Sequence, residues 1–73
     1  MERIKRVVMR RDAIGFFKGI LESYEEVALL TVLDGKKGKV ELIYPSGVEE
    51  TLRAIMEDMA RYDIVFQEVK HEE

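Results

Sequence analysis

Residues 27–44 constrain this chain more than any other stretch. They read V-A-L-L-T-V-L-D, then G-K-K-G, then K-V-E-L-I-Y. Two runs rich in β-branched and apolar residues flank a turn holding two glycines, which is the signature of a hairpin. The first run is apolar on both alternating sets: Val27, Leu29 and Leu33 on one, Ala28, Leu30 and Val32 on the other. A strand apolar on both faces expects cover on both. The second run alternates, with Val40, Leu42 and Tyr44 set against Lys39, Glu41 and Ile43. Lys36, Lys37 and Lys39 mark the tip, read as a solvated turn, with an anion contact as the alternative.

The segments around the hairpin supply the rest of a small domain. Residues 3–10 predict a strand with Ile4 and Val8 on one face and Val7 and Met9 on the other. Asp12 has the chemistry of a helix N-cap. Ala13, Ile14, Phe17, Ile20, Leu21 and Tyr24 then follow at helical spacing, with Phe16 widening the stripe. Gly15 and Gly19 each cost up to about 1 kcal/mol against Ala inside a helix, so close approach by the sheet or by a ligand is expected there. Pro45 cannot donate to a ladder and ends the hairpin's second strand. Ser46 and Glu49 have the spacing of a capping box for a second helix over residues 47–61. Val48, Leu52, Ile55, Met59 and Tyr62 line its apolar stripe, and Met56 and Met59 read as core filler. Glu49–Arg53 and Glu57–Arg61 are spaced as favourable i,i+4 pairs. A last strand is predicted over residues 64–70, with Ile64 and Phe66 on one face and Val65 and Val69 on the other. The tail 71–73 is expected to fray.

The order β-α-β-β-α-β is the split β-α-β pattern, an α+β ferredoxin-like plait. Right-handed crossovers put both helices on one face of a four-stranded antiparallel sheet, in spatial order 2-3-1-4. Residues 27–33 then form an edge strand without a single charge. Monomers normally blunt such an edge with charge, proline or a bulge. The expectation is therefore a homodimer whose two-fold contact covers Val27, Leu29, Leu30 and Val32. The alternative is that the open sheet face stacks on another sheet and the edge stays short.

Composition narrows the function classes. A chain of 73 residues is expected to be one domain, 1–73, with thin stability unless packing, ion pairs or self-association help. It has no cysteine, which excludes a disulfide framework and a thiol nucleophile. No apolar stretch approaches the roughly 20 residues of a membrane span, and no leader pattern is visible, so a cytoplasmic protein is expected. Charged residues make up 37% of the chain, a profile that leans toward a thermophile. The charge is uneven: residues 1–11 carry +4 and residues 41–73 carry −6.

Partners for catalysis are scarce. The single histidine, His71, lies in the tail, and Ser23 and Ser46 both have structural explanations. No histidine-based triad, zinc motif or phosphate-cradling glycine loop is present. No catalytic residue, metal ligand or cofactor is therefore assigned. RNA recognition on this strand order needs aromatics on the central strands, and only Tyr44 sits there, at a strand end. On that ground and on net acidity, nucleic acid is not expected as a partner.

The segment D-A-I-G-F-F-K-G-I-L, residues 12–21, resembles the opening of an ACT domain: an acidic residue, a glycine three positions on, and an amphipathic helix. That family binds amino acids or other small effectors at the first strand–helix loop, often across a dimer made by edge strands. The resemblance implies a site formed by Arg11, Asp12, Ile14 and Gly15 with Val27, Ala28 and Leu29 at the start of the second strand. Ile14 stands where that family often has proline, and Glu26-Val27-Ala28 stands where a ligand-contacting Asn is common. The residues Leu21-Glu22-Ser23-Tyr24 and Leu30-Thr31-Val32-Leu33-Asp34 also resemble a small uncharacterised prokaryotic domain family of unknown function. Two readings follow. One is a non-catalytic small-ligand-binding or regulatory module, taking an amino acid or an anion and acting as a dimer. The other is a protein–protein interaction module with no small ligand.

Overall fold

The structure, a computed structural model, describes residues 1–25 and 27–69. Glu26, Lys70 at the expected end of the last strand, and the tail 71–73 expected to fray lie outside the described residues. The elements are β1 (Glu2–Val8), α1 (Ile14–Ser23), β2 (Leu29–Asp34), β3 (Lys39–Pro45), α2 (Glu49–Asp58) and β4 (Gln67–Glu68). Short 3-10 turns precede both helices, at Arg11–Ala13 and Ser46–Val48, and a third, Met59–Tyr62, follows α2. The sheet is antiparallel in order β2-β3-β1-β4, the expected ferredoxin-like plait.

Alternation decides which face is covered. Val40, Leu42 and Tyr44 of β3 are buried, as are Val7 and Met9 in and just after β1. They form one core with Phe17 and Leu21 of α1 and with Leu52, Ile55 and Met59 from α2 and the turn after it. Both helices therefore lie on that face. The opposite face is open. There Ile43 stands between Ile4 and Leu29 in the register, and Ile4 is 57% and Leu29 65% exposed. The next row on the open face holds Arg6 and Glu41, joined by an Nε–Oε2 contact of 3.0 Å.

Several local expectations are corrected. Asp12 does not cap α1; its carboxylate accepts from Arg10 Nε at 3.0 Å instead. The Ser46–Glu49 capping box does not form, because Ser46 is taken into the 3-10 turn and no side-chain cap is made. Glu49 reaches across to Arg3 at 3.8 Å, and Arg61 pairs with Asp58 at 3.3 Å, rather than in the expected i,i+4 pairs. Gly15 and Gly19 are not approached by the sheet: a β-carbon at either would meet nothing within 4 Å. The last strand keeps only Gln67 and Glu68 as ladder residues. Ile64 is nonetheless buried in the core, and the Phe66 ring lies 4.8 Å from that of Phe17. Tyr24 and Tyr62, expected on the apolar stripes, are about half exposed, at 52% and 46%.

One glycine is required by the backbone. Gly38 closes the hairpin with φ +74° and donates its N–H to the Gly35 carbonyl at 3.3 Å. Its own carbonyl accepts from Met9 N at 2.8 Å. A β-carbon there would overlap the Met9 carbonyl oxygen and sit 3.5 Å from the Arg11 nitrogen. The hairpin tip is thereby pinned to the loop that follows β1.

Candidate functional site

The β2 edge is the first feature with functional content. β2 pairs with β3 only, so its outer row of backbone groups is unpaired among the described residues. Leu30 is buried against the helices, whereas Leu29, Val32 and Leu33 are exposed at 65%, 49% and 44%. Val27 and Ala28 are buried, but they precede the strand rather than forming part of it. Cover on both faces, expected from the apolar run, is thus supplied by this chain on one face only. The register slips between Val32 and Asp34, leaving Leu33 as a bulge. A bulge bends and twists an edge, which confines the regular edge to residues 29–32. A hollow of about 570 Å³ lies beside it, lined by Lys18, Leu21 and Glu22 of α1 and by residues 28–30.

The residues after β1 form the second feature. Arg11 and Asp12 lie in the 3-10 turn, and Ile14 and Gly15 open α1. Arg10 bonds both Asp12 Oδ1 and the Asp63 carbonyl, each at 3.0 Å. The register sets where this loop lies relative to Val27, Ala28 and Leu29. Val8 and Asp34 both pair with Lys39, so the β1–α1 loop and the hairpin tip share one end of the sheet. Leu29 pairs with Ile43 near the other end. Within one chain, then, the structure groups Arg11, Asp12, Ile14 and Gly15 but keeps them apart from Val27, Ala28 and Leu29.

A third feature gave no signal in the sequence. A cleft of about 690 Å³ opens between α2 and the β1–β4 side of the sheet. Val7, Met56, Ile64 and Phe66 form its apolar lining, and Lys5, Arg53, Glu57 and Glu68 are among its charged residues. Lys5 Nζ lies 3.4 Å from Glu68 Oε2 across it. The cleft exists because β4 is two residues long and leaves that side of the plait thinly covered. Its size falls within the usual range for small-molecule sites, roughly 300–1,000 Å³.

Among the described residues, no group of three or more His, Cys, Asp or Glu could hold a metal ion. No helix among them is long and apolar enough to cross a membrane. Among the described residues, no buried side-chain nitrogen or oxygen lacks a hydrogen-bond partner.

Fold and surface together define a small α+β plait with an open sheet face and an unpaired edge. A family model described as "Domain of unknown function (DUF4911)" matches residues 7–62, and the chain belongs to that family. The match runs from the end of β1 through both helices and the hairpin. Comparison with curated proteins and with solved structures found no match.

Proposed function

We propose that this chain is a non-catalytic small-ligand-binding module that works as a homodimer joined along β2. The observation that carries the reading is the uncharged edge: Leu29, Val32 and Leu33 stand exposed beside unpaired backbone groups. A second copy can approach this edge without meeting like charge, and two-fold pairing satisfies both backbone rows.

The two-fold axis stands normal to the sheet, so residues facing each other across it share a face. Centring it on Thr31 sets Leu30 against Val32 of the second copy within the regular edge, with the Leu33 bulge just beyond it. Antiparallel pairing also reverses direction. It carries the second copy's Val27, Ala28 and Leu29 to the hairpin end of the first chain, the end at which Arg11, Asp12, Ile14 and Gly15 lie, with β2 and β3 between them. The two halves of the expected site, at opposite ends within one chain, come to the same end of the sheet in such a pair. This is what favours a ligand site shared between copies over an interaction module without a ligand.

The test uses the absence of native cysteine. Thr31→Cys gives one thiol per chain, and residues opposite each other on antiparallel strands have Cα atoms roughly 4.5–5.5 Å apart, inside the disulfide window. Mild oxidation is expected to yield a covalent dimer from Thr31→Cys. Leu29→Cys should yield none, because its two copies stand about 13 Å apart along the strands at ~3.3 Å per residue. A monodisperse monomer at high micromolar concentration, or equal cross-linking of both variants, would overturn the reading. A thermal-shift screen of amino acids, nucleotides and anions then tests the ligand. A stable dimer with no hit from a broad set would favour the interaction module.

A further inference from the structure

The hairpin tip and the β1–α1 loop are both basic, and folding puts them together. We infer that this end of the sheet is a site for a multiply charged phosphate anion, held chiefly by Arg11, Lys36 and Lys37. The inference rests on the ligand-binding part of the reading above and names the chemistry that the half of the site supplied by one chain would take. That half is complete in a single chain, so the anion does not require the dimer.

Three observations carry it. The Met9 N to Gly38 carbonyl bond of 2.8 Å, with Gly38 packed against the Met9 backbone 29 residues away in sequence, fixes the two segments into one surface. Arg10, Arg11, Lys36, Lys37 and Lys39 all lie on these two segments, at one end of the sheet, in a chain whose net charge is −3. The nearby carboxylates do not neutralise them one for one. Asp12 is engaged by Arg10, and the Asp34 carboxylate accepts from the Lys37 backbone N–H at 3.3 Å. Among the described residues Arg11, Lys36, Lys37 and Lys39 have no ion-pair partner.

Neighbouring cations repel, and an acidic chain that gathers them at one end gains most when an anion sits between them. A single monovalent anion answers only one of them. Linked phosphates place several negative oxygens a few ångströms apart, which suits a guanidinium and two mobile ammonium groups. The same phosphate chemistry occurs in a small polyphosphate-bearing metabolite and in a nucleic-acid backbone, and the test separates the two.

Inorganic tripolyphosphate is titrated into the full chain at low salt, followed by calorimetry, with mass recorded by light scattering in the same buffer. Binding is expected, weakening steeply as salt rises because the site is exposed. The Lys36→Ala/Lys37→Ala double variant should bind on the order of tenfold more weakly, from loss of charge-assisted contacts, at unchanged mass. Arg11→Ala should weaken binding too, whereas Arg53→Ala, in the cleft beside α2, should not. A single-stranded oligonucleotide that binds no tighter than tripolyphosphate at equal phosphate content assigns the site to a small ligand; markedly tighter binding assigns it to a nucleic-acid backbone. Absence of tripolyphosphate binding at low salt, or binding equal in the wild type and the double variant, overturns the inference. Loss of the dimer with anion binding retained would instead sink only the edge pairing.

Discussion

Gly38→Ala is the substitution whose cost can be worked most directly from the structure. The residue has φ +74°, a conformation that costs an L-residue roughly 1–2 kcal/mol. The new methyl group would overlap the Met9 carbonyl oxygen, and that oxygen is backbone, so the hairpin tip must move. Moving it sacrifices the Met9 N to Gly38 carbonyl bond, worth about 1 kcal/mol net. The sum is about 2–3 kcal/mol, against a total of roughly 4–11 kcal/mol for a domain of this length. A domain of this size loses about 4–8 °C per kcal/mol, so the expected fall in Tm is roughly 8–24 °C by that scaling. Circular dichroism followed through thermal and urea unfolding measures it. A variant melting within 3 °C or so of the wild type, well under the effect of 1 kcal/mol, would refute the argument that Gly38 locks the tip to the β1–α1 loop.

Other substitutions sort the remaining contacts. Gly15→Ala and Gly19→Ala meet open space within the chain and should each raise stability by up to about 1 kcal/mol; a loss of more than that would show that something packs on this face of α1. Phe17→Ala removes a fully buried ring that touches Phe66, and chemical unfolding should register a loss of about 3–5 kcal/mol. Leu29→Lys places charge on the exposed edge and should halve the mass seen by light scattering while the far-ultraviolet circular dichroism spectrum stays that of the folded chain, with unfolding no longer dependent on protein concentration. Leu30→Lys is no substitute for it, because Leu30 is 8% exposed and belongs to the core, so that variant would unfold the chain rather than divide the assembly.

What the sequence alone determined was the element order and the covered face. Val40, Leu42 and Tyr44 against Lys39, Glu41 and Ile43 read correctly because a strand's period of two is a local property and one face must be buried. The stripes of Phe17 and Leu21, and of Leu52, Ile55 and Met59, were legible for the same reason at helical spacing. Capping was not: whether Asp12 meets a backbone N–H or Arg10 depends on where the chain goes next, and a 3-10 turn settles it in favour of Arg10. Tertiary structure alone decided that Leu30 is core and Leu29 is surface, since both are leucines in one apolar run and only the helix layer distinguishes the faces. It also decided that the basic loop after β1 and the lysines of the hairpin share one end of the sheet. Pairing between strands distant in sequence sets that neighbourhood, and no local pattern of residues encodes it.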